Sequence, residues 1–172
     1  MILQDDDNVL LVISDEKRFF DDQAALFKEL QRFKKTCVFA LVKPANIVDK
    51  QLRKDGFNAG QLHYINATRD GCKGLSQCVE VETMQDLTSM SIEFTKALGK
   101  ERCDAALLSP LSIMFSHVGG ESVLKFVSIL TQKARDKDVA LVFLTQWNEK
   151  DNADLQDATL FMDRIVDLRK AA

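Results

Sequence analysis

The chain has 172 residues, 46% of them hydrophobic and 28% charged, with a formal net charge of -3 and a pI of about 5.4. This composition is typical of a globular protein and excludes a disordered or fibrous one. Basic residues alternate with acidic ones instead of forming a positive face, which disfavours nucleic acid as a partner. With only 7 Gly and 2 Pro, no flexible linker is evident, so we expect a single domain over residues 1–172.

The beginning of the chain and its cysteines bear on the compartment. The first residues are acidic where a secretory signal is basic, and the apolar run from Val9 to Ile13 is too short to span a bilayer. Four cysteines are scattered along the chain: Cys37, Cys72, Cys78 and Cys103. We therefore expect free thiols and a cytoplasmic protein without a membrane segment. The spacing of Cys72 and Cys78 is wider than that of a zinc-binding pair, so no metal site is expected.

Short apolar runs alternate with helical patterns along the whole chain. The predicted strands cover residues 9–13, 37–42, 62–65, 79–81, 105–108, 139–144 and 165–168. Strands that are apolar on both faces and separated by amphipathic helices are typical of a parallel sheet covered on both sides. We therefore predict a three-layer α/β/α fold with a mostly parallel central sheet.

Three local expectations concern which side chains are buried and where the fifth strand ends. The first predicted helix has five apolar residues at helical spacing, which we expect to be buried: Phe20, Ala24, Leu26, Phe27 and Leu30. The phenylalanine pair at the start of this helix, Phe19 with Phe20, is assigned to the core. His63 is expected to be a packed or an edge residue of the third strand and not a ligand, and the segment from Ser109 to Ser112 is interpreted as the end of the fifth.

Several phrases of the sequence occur in an order that points to a known family. They are Val38–Pro44, the turn Lys54–Phe57, Leu62–Thr68, Asp86–Ile92 and Asp104–Phe115. In this order they resemble the RecA/KaiC-like family, most closely its archaeal relatives that lack the phosphate-binding loop. The resemblance extends from Asn8 to Leu168. It implies a RecA-like topology, with the former ATP site at the carboxyl ends of the strands.

The resemblance also implies that ATP hydrolysis has been lost. An active member carries a Gly-rich loop after the first strand, whereas the chain here continues from Ser14 into Asp15 and Glu16 without a glycine. In the resemblance, the position of the family's catalytic carboxylate corresponds to Lys43. A lysine cannot act as a base while it is protonated. The position of the Mg²⁺-supporting aspartate matches Ser109, whose hydroxyl lacks the required charge. We therefore expect no ATPase activity, no catalytic residues and no cofactor.

Two functions remain open. Ligands of open α/β sheets bind beyond the carboxyl ends of the strands, and the polar residues expected at that rim are Ser14, Lys17, Lys43, Asn66, Thr68, Ser109 and Gln146. The leading hypothesis is an inactive domain that serves as an interaction or regulatory module, through a protein partner or self-association. The alternative is a nucleotide or small-anion sensor that uses Lys17 and Lys43 without hydrolysis. Trp147 is an anchor for a partner if exposed, and core if packed on the last helix.

Overall fold

The computed structural model describes residues 1–171, and within them seven strands form one sheet in which every neighbouring pair is parallel. Their order across the sheet is β4-β3-β2-β5-β6-β1-β7. The strands are β1 (Val9–Ser14), β2 (Thr36–Ala40), β3 (Leu62–Asn66), β4 (Cys78–Glu80), β5 (Ala105–Ser109), β6 (Ala140–Gln146) and β7 (Arg164–Asp167). The predicted parallel sheet is confirmed, and each predicted strand ends within two residues of its observed bounds.

Six α-helices connect these strands in the described part of the chain. They are α1 (Phe19–Leu30), α2 (Ala45–Lys54), α3 (Leu87–Gly99), α4 (Leu111–His117), α5 (Gly120–Lys137) and α6 (Asn152–Thr159). One apolar cluster joins α1 and α2 to the sheet, and a second joins α3 to α6 to its opposite face. The molecule therefore has the predicted three layers.

The strands are buried on both faces, which explains their continuous apolar runs. In β1, Leu10 and Val12 pack in the cluster of α1 and α2, whereas Leu11 and Ile13 pack in the cluster of α3 to α6. A strand that must satisfy two apolar layers shows no alternation of polar residues. The continuous apolar runs of the sequence thus indicate that both faces of these strands are buried.

The neighbouring strands β2 and β5 send their connections to opposite faces of the sheet. Residues 36–40 of β2 pair with residues 105–109 of β5. The chain leaves β2 for α2 on one face, and it leaves β5 for α4 on the other. Such a reversal opens a crevice at the carboxyl ends of the two strands, where ligands of α/β sheets bind.

The orientation of α1 differs from the prediction. Its buried side chains are Phe19, Asp22, Leu26, Phe27 and Leu30, whereas Phe20 is 65% exposed and Ala24 is exposed. The helix begins at Phe19 with that ring packed inward, and its buried face includes Asp22. The adjacent position 20 then faces solvent, because consecutive residues of a helix are about 100° apart.

The segment after β5 also differs from the prediction. We interpreted the residues from Ser109 to Ser112 as a strand end, but the strand stops at Ser109 and α4 begins at Leu111. Pro110 has no N–H with which to continue a strand ladder, and proline is well tolerated at the start of a helix. Ser112 therefore lies in the first turn of a helix.

The prediction of four free thiols is wrong for two of them. Cys72 and Cys78 form a disulfide with their Cα atoms 5.3 Å apart, while Cys37 and Cys103 are free and buried. The bond joins the loop after β3 to the first residue of β4, because that loop turns back to pair β4 with β3. Sequence spacing alone does not reveal such a return of the chain.

Two other expectations concern membranes and metals. In the described residues, no helix is long and apolar enough to cross a membrane. Residues 1–171 also contain no group of three or more His, Cys, Asp or Glu side chains suited to hold a metal ion. His63 is 4% exposed and packed as predicted, and burial lowers the pKa of its imidazole.

Replacing both Cys72 and Cys78 by serine is expected to lower the free energy of unfolding by about 2 kcal/mol, because the cross-link no longer restricts the unfolded chain. Denaturant unfolding measures this loss, and the reduced native chain is the control that should lose the same amount. Titration of the denatured, unreduced protein should find the two free thiols, Cys37 and Cys103. Titration of all four cysteines would contradict the disulfide.

Candidate functional site

The turn between β1 and α1 is held by carboxylates of the chain itself. The backbone N–H of Arg18 donates to the Asp15 carboxylate at 2.8 Å, and the Ser14 hydroxyl donates to the Asp22 carboxylate at 2.5 Å. The Arg18 guanidinium lies 3.9 Å from Asp22. Donors at the start of a helix ordinarily bind an anion. Here Asp15 accepts from the Arg18 N–H and Asp22 accepts from the Ser14 hydroxyl, so two carboxylates already lie beside the start of α1.

The negative charges of this turn repel an approaching anion such as a phosphate. Ser14 is fully buried and Asp22 is 6% exposed, so their contact is weakly screened by water. A phosphate arriving at the turn meets Asp15 and Asp22 together with the exposed Glu16. Lys17 is exposed, and no ion pair among the described residues includes it.

Two further rim residues hold the loop after β3. The Asn66 side-chain oxygen accepts from the Ala45 N–H at 3.1 Å and from the Thr68 hydroxyl at 2.8 Å, and its amide donates to the Thr68 carbonyl at 2.7 Å. Gly71 passes so close that a Cβ there would lie 2.2 Å from this oxygen. Asn66 and Thr68 therefore stabilise the loop and belong to the fold.

A pocket of about 270 Å³ opens at the crevice between β2 and β5, beneath α1. It contains three of the predicted rim residues, Lys43, Ser109 and Gln146. Most of its other lining side chains are apolar, among them Phe19, Phe20, Phe27, Val38, Leu107 and Ile113. Ser14, Lys17, Asn66 and Thr68 do not line it. The structure thus places three of the predicted rim residues in the pocket and three in structural contacts, and it leaves Lys17 exposed on the surface.

The polar atoms of this pocket are arranged around Gln23, a residue that sequence reasoning missed. The Ser109 hydroxyl donates to the Gln23 side-chain oxygen at 2.7 Å, across the space between β5 and α1. The Lys43 ammonium lies 5.3 Å from the centre of the Phe20 ring, within the range of a cation–π contact. Gln23 lies one residue from the buried Asp22, and no sequence signal marked it.

A groove of about 500 Å³ runs beside the pocket, between α1 and α2. Phe27, Val48 and Leu52 are among its apolar lining residues. Phe20 and Ile47 also line it and are 65% and 55% exposed. We call this surface the α1–α2 groove. It was missed because Phe20 had been assigned to the core.

Trp147, directly after β6, is 37% exposed, and the Arg169 guanidinium lies 5.0 Å from its ring centre. The chain itself covers part of the indole ring. The ring is therefore less available as an anchor than Phe20 is.

Comparison with known proteins returned neither a matching family model nor a matching curated protein. The RecA/KaiC-like resemblance therefore stays a prediction from the quoted motifs.

Replacing Asp22 by alanine is expected to lower the free energy of unfolding by about 1 to 3 kcal/mol, because the buried Ser14 hydroxyl then loses its short hydrogen bond and keeps only the longer one, at 3.3 Å, to the Asp15 carbonyl. Denaturant unfolding measures the effect. The double variant S14A/D22A should lose less than the sum of the two single variants, because the two groups contact each other. Asp21→Ala is the control, since this neighbouring carboxylate is exposed. An Asp22→Ala variant as stable as this control would contradict the assignment.

Proposed function

We propose that the chain is a catalytically inactive RecA/KaiC-like domain that works as a protein-interaction module. Its α1–α2 groove docks an acidic, amphipathic segment of a partner protein. The observation that carries this proposal is an exposed apolar groove with a positively charged border.

The apolar part of the groove provides the driving force. Phe20, Val42 and Ile47 are 65%, 55% and 55% exposed and lie at the groove or at the adjoining pocket. Single exposed apolar residues are ordinary on a protein surface, whereas a contiguous group marks an interaction site. A helical segment that buries its apolar face between two helices is a common mode of peptide recognition.

The charge of the groove selects the partner. Its lining includes Lys43, Lys50 and Lys54 against a single carboxylate, Asp55. In the described part of the chain, none of these lysines belongs to an ion pair. This local excess of positive charge lies on a chain with a net charge of -3. A segment with acidic residues beside its apolar anchors complements it.

The absence of ATPase chemistry is the second part of the proposal. Asp15 and Asp22 accept from the donors of the β1–α1 turn. At the ends of β2 and β5, the resemblance assigns Lys43 and Ser109 to the positions of two required carboxylates. With neither a base nor a carboxylate for magnesium, the machinery of phosphoryl transfer is incomplete.

A sensor of a small anion is the second candidate, and the pocket with Lys43 and Ser109 favours it. A nucleotide fits less well than a smaller anion. The pocket measures about 270 Å³, and the adjacent turn presents the carboxylates of Asp15 and Asp22 to a polyphosphate. A cytoplasmic location stays a prediction, and the disulfide counts against a strongly reducing compartment.

Docking is tested by selecting a library of random peptides on the native chain alone and then measuring the selected peptides on the variant Ile47→Glu. We expect the surviving peptides to combine apolar residues at helical spacing with an excess of Asp and Glu. Their affinity should fall at least about tenfold for Ile47→Glu, because a buried charge faces the apolar segment. Binding titrations of the selected peptides measure the loss.

The matched control is Ile129→Glu, which changes an isoleucine that is 45% exposed on α5, on the opposite layer. It should bind the selected peptides as the native chain does. Peptides without an acidic excess, or equal losses in the two variants, would refute the groove as the docking site. Self-association abolished by Ile47→Glu, measured by light scattering, would place a second copy in the groove instead.

Addition of Mg²⁺ and ATP is expected to leave the thermal unfolding temperature unchanged, because the turn after β1 cannot accommodate the phosphates. A saturated site at about 100 times its dissociation constant adds about 2.7 kcal/mol, or about 5 to 10 °C for a domain of this size. Differential scanning calorimetry makes the measurement, with Mg²⁺ alone as the control. A shift of that size would refute the exclusion of nucleotide phosphates and favour the nucleotide sensor, and release of inorganic phosphate from ATP would overturn the inactive assignment.

A further inference from the structure

We infer that the pocket between α1 and the ends of β2 and β5 binds a small monocarboxylate with an aromatic or branched apolar body. The inference rests on the second candidate function, the small-anion sensor, and names the chemical class of its ligand. The apolar body lies against α1 and β5, and the carboxylate lies at Lys43.

The size of the pocket sets the size of the ligand. The pocket has a volume of about 270 Å³. A phenyl ring with a short acid chain belongs to this size class. Ligand pockets commonly begin at about 300 Å³, so the pocket is at the small end of their range.

The apolar walls determine the body of the ligand. Phe19, Phe27 and Leu107 line the pocket and are between 1% and 9% exposed, so they are fixed by the core behind them. Ile113 of α4 and Val48 of α2 line it as well. An apolar body that enters this space leaves water for a preformed apolar surface, which is favourable by about 25 cal/mol for each Å² buried.

The polar atoms determine the head of the ligand. Among the lining residues within positions 1–171, Lys43 is the only charged side chain, so no carboxylate opposes its ammonium group there. The Ser109 hydroxyl donates to the Gln23 oxygen, which leaves the Gln23 amide nitrogen as a hydrogen-bond donor. Gln146 contributes a second amide. One cation with neighbouring amide donors suits a single negative charge.

A doubly charged phosphate is a poorer match for the same atoms. The phosphate sites of proteins use several backbone N–H groups at the start of a helix. At the comparable place here, the β1–α1 turn, Asp15 occupies the Arg18 N–H, and the Asp15 and Asp22 carboxylates oppose a doubly charged anion. A monocarboxylate requires only the lysine and the side-chain amides of the pocket.

The test uses four probes at millimolar concentration: phenylpropanoate, its uncharged amide, propanoate and inorganic phosphate. Saturation-transfer NMR and calorimetry should show that phenylpropanoate binds at least about fivefold more tightly than the amide. Propanoate, which lacks the ring, should bind more weakly still. Amide chemical shifts of the native chain should change at Ser109 and Gln146.

The variant Lys43→Gln should remove the preference for the carboxylate over the amide, whereas Lys50→Gln should retain it. Lys50 is the matched control because it lines the α1–α2 groove but not the pocket. Both lysines are exposed, so neither substitution removes a buried contact. Ile47→Glu, which also lies outside the pocket lining, should bind phenylpropanoate normally even though it loses the docking peptides.

Three results would overturn the inference. Equal affinities for phenylpropanoate and its amide would show that the pocket does not recognise the negative charge of the ligand. Binding of phosphate without phenylpropanoate would refute the carboxylate class and leave the anion sensor standing. If none of the probes binds, both the monocarboxylate ligand and the small-anion sensor are refuted. The peptide measurements on Ile47→Glu decide the interaction module separately in every case.

Discussion

The pairing of β2 with β5 is the constraint on which the rest of the structure depends. The two strands share a register from Thr36 with Ala105 to Ala40 with Ser109, yet their connections leave on opposite faces. Because the segments that follow the two strands leave on opposite faces, space remains between the strand ends. Helix α1 covers this space from above and forms the pocket. Helix α2, which follows β2, forms the adjoining groove with α1.

The carboxyl edge of the sheet is divided by charge. At the end of β1, Asp15 and Asp22 accept from the N–H and hydroxyl groups of their own turn. Beyond β2, Lys43 lies at this edge without a carboxylate among the described residues of the pocket lining, and Lys50 and Lys54 extend the positive charge along α2. A sheet edge of this kind repels a polyanion at one end and attracts single negative charges at the other. Both proposed ligands, an acidic segment and a monocarboxylate, follow from the positive end.

Much of the fold could be predicted from the sequence, because strands buried on both faces leave continuous apolar runs such as Val9–Ile13. The rotation of α1 could not, since Phe19 and Phe20 are equally apolar and either fits a helical stripe. The burial of Asp22 depends on Ser14, a contact between two elements that periodicity does not record. The return of the chain that joins Cys72 to Cys78 is likewise tertiary. Of the site, Lys43, Ser109 and Gln146 were predicted, whereas Gln23 required the packing of α1 on β5.

The two adjacent phenylalanines at the start of α1 have different roles: Phe19 contributes to stability, and Phe20 presents an apolar surface to solvent. The ring of Phe19 is 3% exposed and belongs to the core, whereas the ring of Phe20 is 65% exposed, with the two ring centres 5.6 Å apart. Selection can therefore alter the outer ring without unfolding the domain, because surface substitutions usually change stability by less than about 0.5 kcal/mol. Divergent descendants of this chain should keep an apolar residue at position 19, whereas position 20 is free to vary. Changes of binding specificity would then occur at position 20, directly beside position 19, which the core keeps apolar.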